Sequence, residues 1–462
     1  MRNSRFDPSQ HFSILVFAGM IFLLALLIFY PLLSPGHFLL TTDNNIGTIP
    51  PLKKTFPAQL WGDWSDGNLC GSQGGIGYFS WTYLVLGLLP EAFGFNWLHA
   101  IDLVLASIFL FIFLRSNGLT LPSIIMGALT AFWLGNNFTL TYAGHIGKFA
   151  ILMLSAAALV CLKKINGNWR DWAWCAIAGG LMGMMFIEQQ DVALFLNIFL
   201  GAYALFRLSL VHFAELKATE TVSQKSRLIA RVILSLLLIA TTASAVTFTA
   251  SLNSYFANVK PIAQNKTDDA AGQWEFTTQW SWPPEECIDF IAPGYMGWRS
   301  GEPEGPYWCR MGRSAGWEQT HQGFMNFKLE NQYLGAIPLF LALFAIFVVL
   351  LGSVRNGRAG QPVPPLSSVG QGCPTLPKAE IIFWACAAIV ALLLSFGKYF
   401  PLYSLFYHLP LVSSIRNPNK FLHVFQIALG ILAAYGFELV LLQAHAQPEI
   451  SKDIATSKKR AS

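Results

Sequence analysis

Apolar runs long enough to cross a bilayer constrain this chain more than any other feature. They fall at residues 12–33, 96–114, 121–142, 146–162, 172–187, 192–210, 228–251, 332–352, 381–395 and 421–442. Several reach about 18 to 22 residues with almost no charge, the length at which a helix spans the hydrocarbon of a membrane. Backbone N–H and C=O groups find no water in that layer, so such runs must close their hydrogen bonds internally as helices. Composition agrees: 54% of the 462 residues are hydrophobic and 12% are charged, against about 25% charged in a soluble domain. The expected fold is therefore an all-α polytopic membrane protein with about ten transmembrane helices.

Charge distribution sets the expected topology. Arg2 and Arg5 precede the first run, which is too long for a signal-peptide core, so it reads as an uncleaved anchor with a cytoplasmic N-terminus. Residues 78–95 are apolar but broken by Gly87, Pro90, Glu91 and Gly94, and are expected to lie at the interface without crossing. With ten spans, the short connections bearing Lys163, Lys164, Arg207, Arg227, Arg355 and Lys378 all fall inside, as does the tail with Lys458, Lys459 and Arg460. An eleventh crossing would put them outside. The organisation is then one membrane domain, residues 1–442, with two long outer loops at 34–95 and 252–331. A Gly/Pro-rich cytoplasmic linker at 353–378 and a disordered cytoplasmic tail at 443–462 complete it. The net charge of +5 fits this topology, and no basic block interleaved with aromatics points to nucleic acid.

The candidate chemistry lies on the outer side. The first outer loop carries Asp43, followed by Asn44, Asn45, Lys53 and Lys54. An acid fixed just beyond a membrane helix can act on a lipid-borne phosphate, or it can simply end the helix and open a turn. The sequence GHIGK places His145 and Lys148 three residues apart at the outer mouth of a span. Two readings are open: a phosphate clamp, or a helix-start turn whose lysine reaches for headgroups. Arg416 and Lys420 precede the last span on the acid-rich face, where a phosphate site and attraction to anionic headgroups both apply. Glu188 and Asp191 share a very short outer turn and either support Asp43 around a metal or sugar hydroxyl or are plain solvated charge. Asp102 sits within a span, three residues after His99. Ionisable groups at such depth mark functional sites or structural pairs.

The second outer loop holds six tryptophans: Trp274, Trp280, Trp282, Trp298, Trp308 and Trp317. Their faces suit sugar C–H surfaces, and they suit an interfacial aromatic belt equally. Within this loop, residues 281–291 (SWPPEECIDFI) read as a helix start, with Ser281 as cap and Glu285 and Glu286 at the positive dipole end. The seven cysteines show no metal spacing, and Cys287 and Cys309 share this loop, where an oxidising compartment would let them pair.

The passage 392–438 contains Gly397–Lys398, Pro401–Tyr403, Leu409–Pro410, Arg416, Pro418, Lys420–Phe421 and Ala434–Gly436. It resembles the C-terminal signature of YfhO-like bacterial membrane proteins, and GHIGK and 330–339 (ENQYLGAIPL) resemble the same family. That family is similar in layout to the GT-C membrane glycosyltransferases. The resemblance implies a GT-C-like fold and transfer of a sugar from a polyprenyl-phosphate carrier on the outer face of the bacterial inner membrane, with the acid of the first outer loop as base or metal ligand. Asp43 is the matching residue, single here where the broader group has an acidic pair.

The expected function follows. Asp43 deprotonates the acceptor hydroxyl, a cell-envelope glycan or glycoprotein, while His145, Lys148, Arg416 and Lys420 hold the carrier phosphate. Trp280, Trp282, Trp298 and Trp308 contact acceptor or sugar, and Asp102, Glu188 and Asp191 are supporting acids. A divalent cation, Mg or Mn, is compatible with this scheme but no ligand set specifies one. The alternatives are a non-catalytic envelope scaffold and a lipid-linked glycan transporter. Transport would need a polar pathway, and apart from Asp102 the spans carry almost no charge.

Overall fold

The computed structural model describes residues 8–41, 46–57, 63–65, 72–74, 80–141, 143–218, 221–257, 270–314, 316–357, 377–409, 412 and 415–460. It is almost entirely helical. In chain order the helices are α1 (Pro8–Ile28), α2 (Ile49–Thr55), α3 (Trp81–Leu88), α4 (Glu91–Ser116), α5 (Leu121–Phe132), α6 (Gly135–Thr141), α7 (Ile146–Lys163) and α8 (Asp171–Glu188). They continue with α9 (Gln190–Ala218), α10 (Val222–Ala257), α11 (Ala270–Thr278), α12 (Trp317–Thr320), α13 (Ala336–Gly357), α14 (Lys378–Ser395), α15 (Pro401–Tyr407) and α16 (Phe421–Arg460). The one β element among the described residues is an antiparallel pair, β1 (Asp63–Ser65) with β2 (Ser72–Gly74).

Among the described residues, six segments are long and apolar enough to cross a membrane: Glu91–Ser116, Ile146–Lys163, Gln190–Phe213, Val222–Phe248, Lys378–Ser395 and Pro418–Ala444. Shorter apolar helices lie at Phe12–Ile28, Leu121–Phe132 and Ala336–Leu351. The chain is thus an all-helical membrane protein. The last segment is its axis: 83% of its apolar window is buried, against 11% for Val222–Phe248. α16 packs against α5, α13 and α14, while α7 packs against α4 and α8, and α8 against α10. Small residues permit the closest of these approaches. A Cβ on Gly179 would stand 1.9 Å from Thr242 Oγ1, and one on Gly183 would stand 2.6 Å from the Ala243 carbonyl oxygen. The two glycines, four residues apart, let the α8 backbone lie directly on α10, as small-residue pairs do in membranes.

Several local expectations are corrected. Residues 121–142 are not one helix but two, because Asn137 donates its side-chain amide to the Phe132 carbonyl at 3.0 Å and ends α5. The neighbouring Asn136 is buried and bonded to Gln426 at 3.2 Å and to Gln332 at 3.1 Å. Within 78–95 only α3 is separate, an eight-residue helix too short to cross at 1.5 Å per residue. Residues 91–95 already belong to α4. The tail beyond residue 442 continues α16 to Arg460 instead of losing order, in keeping with its supply of Ala, Gln, Glu and Lys, all good helix formers. The linker expected at 353–378 begins with the end of α13, and its residues 358–376 lie outside the described residues.

Candidate functional site

The turn between α8 and α9 is a single residue, Gln189, so Glu188 ends one helix and Asp191 stands in the first turn of the next. Asp191 accepts the Val192 N–H through Oδ1 at 2.6 Å, the natural place for a carboxylate at a helix N-terminus. Its other oxygen accepts from Lys420 Nζ. Lys420 closes the 3-10 turn Pro418–Lys420 that leads into α16, and only 8% of its side chain is exposed. Lys148, in the first turn of α7, is 6% exposed and lies within electrostatic reach of both. Its ammonium makes no hydrogen bond or ion pair with any described residue. His423, one turn into α16, is buried against the same three groups.

Beside this cluster lies a cavity of about 1440 Å³, lined by Glu188, Asp191, Phe248, Phe276 and Arg416 among others. The Arg416 guanidinium stands 5.1 Å from the ring centres of both Phe276 and Trp280, within cation–π range of each, and is paired with no carboxylate among the described residues. Thus Lys148 from α7 and Lys420 and Arg416 from the stretch just ahead of α16 come together with Asp191 and Glu188 from the α8–α9 turn. Glu188 is itself engaged, accepting from Ser80 Oγ at 2.9 Å and from the Thr82 N–H at 3.3 Å, so it anchors the start of α3.

The other candidates are placed differently. Asp43 lies outside the described residues. The chain leading to it is fixed: Asn96 on α4 accepts the Leu39 N–H at 3.2 Å and donates to the His37 carbonyl at 2.8 Å. Thr41 then borders a cavity of about 10 Å³ shared with His99, Gly144 and Ile146, room for one water at most. Residues 37–41 are therefore seated beside the GHIGK corner. His145 is the N-cap residue of α7 and is half-buried; the helix begins after it, so it does not share a helical face with Lys148. Asp102 does not pair with His99. It is fully buried on α4 and accepts from Trp81 Nε1 at 2.9 Å, with its second oxygen unpartnered, so it pins α3 from below and stands apart from the cavity lining.

Of the aromatic candidates, Trp280 faces Arg416, and Trp298 and Trp308 are 46% and 60% exposed. Trp282 is not a contact surface at all: it is fully buried, stacked on Phe290 at 6.0 Å, and donates its backbone N–H to the Ser395 carbonyl at 2.8 Å. Residues 281–291 do not start an α-helix either. They form the 3-10 turn Pro284–Phe290, because Ser281 directs its hydroxyl to the Thr278 carbonyl at 2.6 Å instead of capping.

What local reading missed is the cluster beneath that turn. Lys328 Nζ donates to Glu286 at 3.2 Å and to Asp289 at 2.7 Å, all three with no exposed side-chain surface. Tyr307 OH donates to the other Glu286 oxygen and accepts the Met311 N–H at 2.7 Å. Cys287 and Cys309 are free thiols, each pushed up to about 11, chiefly by burial. Among the described residues no three His, Cys, Asp or Glu side chains are arranged to hold a metal ion. No family model matches the chain, and no curated protein or solved structure does either.

Proposed function

We propose that the chain is a membrane glycosyltransferase of GT-C type, YfhO-like, that moves a sugar from a polyprenyl-phosphate carrier to a cell-envelope glycan or glycoprotein. In this reading it sits in the bacterial inner membrane with ten spans and both termini cytoplasmic, and works on the outer face. The observation that carries it is Lys148: a buried ammonium that makes no hydrogen bond or ion pair among the described residues and shares the one carboxylate of Asp191, at longer range, with a second buried ammonium, beside a large cavity whose guanidinium is paired with no carboxylate among the described residues. Isolated buried charge is costly and is normally neutralised by a partner. An anionic ligand supplies that partner, and a carrier phosphate has the charge and oxygen count to meet two ammoniums and a guanidinium.

The chemistry is a displacement at the sugar's anomeric carbon. The bond from that carbon to the carrier phosphate oxygen breaks, its electron pair stays on the phosphate, and the acceptor oxygen forms the new bond. Lys148, Lys420 and Arg416 stabilise the charge that grows on the phosphate. Asp43 takes the acceptor's proton as general base; it follows Thr41 by two residues, at most about 7 Å of chain. Trp280, held against Arg416, offers a ring face to the sugar, and Trp298 and Trp308 offer exposed faces to the acceptor.

The test is transfer from a polyprenyl-phosphate sugar in proteoliposomes. Asp43→Asn is expected to lower turnover by about 10² to 10⁴-fold while donor binding persists, and Arg416→Ala to weaken donor binding. A well-folded wild type that binds no lipid phosphate overturns the reading and leaves a scaffold. Donor binding that survives with transfer unaffected in Asp43→Asn removes the base assignment alone.

A further inference from the structure

We infer that Asp191 is a placeholder: its carboxylate occupies the position on Lys420 that an incoming phosphate takes, and ligand binding displaces it. This rests on the reading of the site as one for a phosphate. Lys420 is 8% exposed, and its one ion pair among the described residues is with Asp191, whose own side chain is 25% exposed and lines the cavity. Asp191 is among the residues that line the cavity and Lys420 is not, so the cavity meets the pair at its carboxylate. An anion arriving there meets a carboxylate first and a lysine behind it.

The balance of charge favours exchange. Among the described residues Lys148 and Lys420 face the carboxylate of Asp191, with Glu330 acting on Lys420 from further off and Glu188 committed to Ser80 and Thr82. A phosphate carrying one to two negative charges answers both ammoniums at once, and its repulsion of Asp191 across a shared lysine is then the largest unfavourable contact. Release leaves Asp191 supported. Its Oδ1 keeps the Val192 N–H at 2.6 Å and the positive end of α9, and its exposed edge turns to cavity water. A purely structural bridge has no reason to be built this way, with one partner half secured elsewhere and facing the ligand space.

The two roles predict opposite signs. A placeholder competes with the ligand, so Asp191→Asn, which keeps the bond to Val192 and loses the charge, is expected to bind phosphate more tightly by about tenfold or more. A structural partner positions Lys420, so its loss weakens binding. The experiment is calorimetric titration of the full-length protein in detergent with farnesyl phosphate and, separately, inorganic phosphate. Tighter binding of both by the variant supports a placeholder for phosphate from either source; tightening for farnesyl phosphate alone supports one that reads a lipid-borne phosphate. Lys420→Met added to Asp191→Asn must remove the gain. Asp191→Ser, whose hydroxyl suits a helix start, carries the same expectation should the Asn variant fail to fold. Unchanged or weaker binding by both variants, with a wild type that binds, overturns the placeholder and leaves the phosphate site standing. A wild type and variants that all fail to bind overturn both.

Discussion

Lys420 and Asp191 are bonded across 229 positions of the chain, tying the turn ahead of the central helix α16 to the first turn of α9. The pair sets the start of one helix against the start of another, and its stability effects are asymmetric. Lys420→Met leaves a carboxylate that is partly exposed and still held by Val192, whereas Asp191→Asn leaves a buried ammonium beside another. Breaking a buried pair by removing one partner costs about 3–5 kcal/mol. The expected order is Asp191→Asn at that level, Lys420→Met below it, and the double variant below the sum of the two. Melting midpoints from tryptophan fluorescence across the four proteins measure it; additive losses would mean the two groups do not interact.

How far this site was legible depends on what each residue signals by itself. Arg416, Lys420 and Lys148 stood out because basic residues on an acid-rich outer face run against the usual charge bias. Asp191 and Glu188 stood out because the two apolar runs on either side leave only a very short turn between them. Helix positions were legible because apolar length dictates them in a bilayer. The break between α5 and α6 was not, since the asparagines that follow it read as ordinary polar residues in an apolar run, and the partners that hold Asn136 inside the bundle, Gln332 and Gln426, are 196 and 290 residues away. Nor was the burial of Trp282, because a tryptophan in an outer loop has the same composition signature whether it stacks on Phe290 or faces water. The Lys328 cluster has no local mark: its partners lie 42 and 39 residues before it, and no spacing rule links them.

That cluster makes a pH prediction with two opposite parts. Burial, outweighing Lys328 and Tyr307, holds the Glu286 carboxyl above the ordinary glutamate range. An acid raised on folding contributes stability below its unfolded pKa and loses it as pH rises through the folded value. Glu285, by contrast, is held low by the Arg310 hydrogen bond at 2.6 Å, so its contribution is present above the ordinary range and lost as pH falls. Above the ordinary glutamate range the Glu286 effect governs. The wild-type melting midpoint is expected to fall with rising pH there, and the fall to be smaller in Glu286→Gln. Equal slopes would remove Glu286 as its source. Lys328→Met, which strands two buried acids, is expected to cost about 3–5 kcal/mol at the upper end.

The two classes of outer-loop tryptophan separate by mutation. Trp282 is enclosed, with Lys328 Nζ 5.1 Å from its ring centre, so Trp282→Ala is expected to cost about 3–5 kcal/mol through cavity formation. Trp308 is 60% exposed, and Trp308→Ala is expected to change stability by about 0.5 kcal/mol or less while weakening acceptor binding. A Trp308→Ala protein with unaltered acceptor KM would take Trp308 out of the acceptor surface and leave the donor side intact.

The α8–α10 contact offers the test closest to the cavity without touching the phosphate groups. Gly179 and Gly183 seat α8 on the backbone of α10 at Ile239, Thr242 and Ala243, and Thr241, Ala243 and Thr247 of that same stretch line the cavity wall. A Cβ at Gly179 meets backbone as well as the Thr242 hydroxyl: the Ile239 carbonyl oxygen would be 2.4 Å away. Rotamer change alone cannot relieve that, so Gly179→Val must push the helices apart, at a cost of about 1–3 kcal/mol for overpacking. At Gly180, one position on, a Cβ would point into open space with no neighbouring atom within 4 Å, and Gly180→Val shares the same change in helix propensity without the clash. The expected result is a lower melting midpoint and weaker farnesyl phosphate binding for Gly179→Val, with Gly180→Val near wild type in both. Equal behaviour of the two variants would show that α8 and α10 separate freely, and that their close packing does not shape the cavity wall.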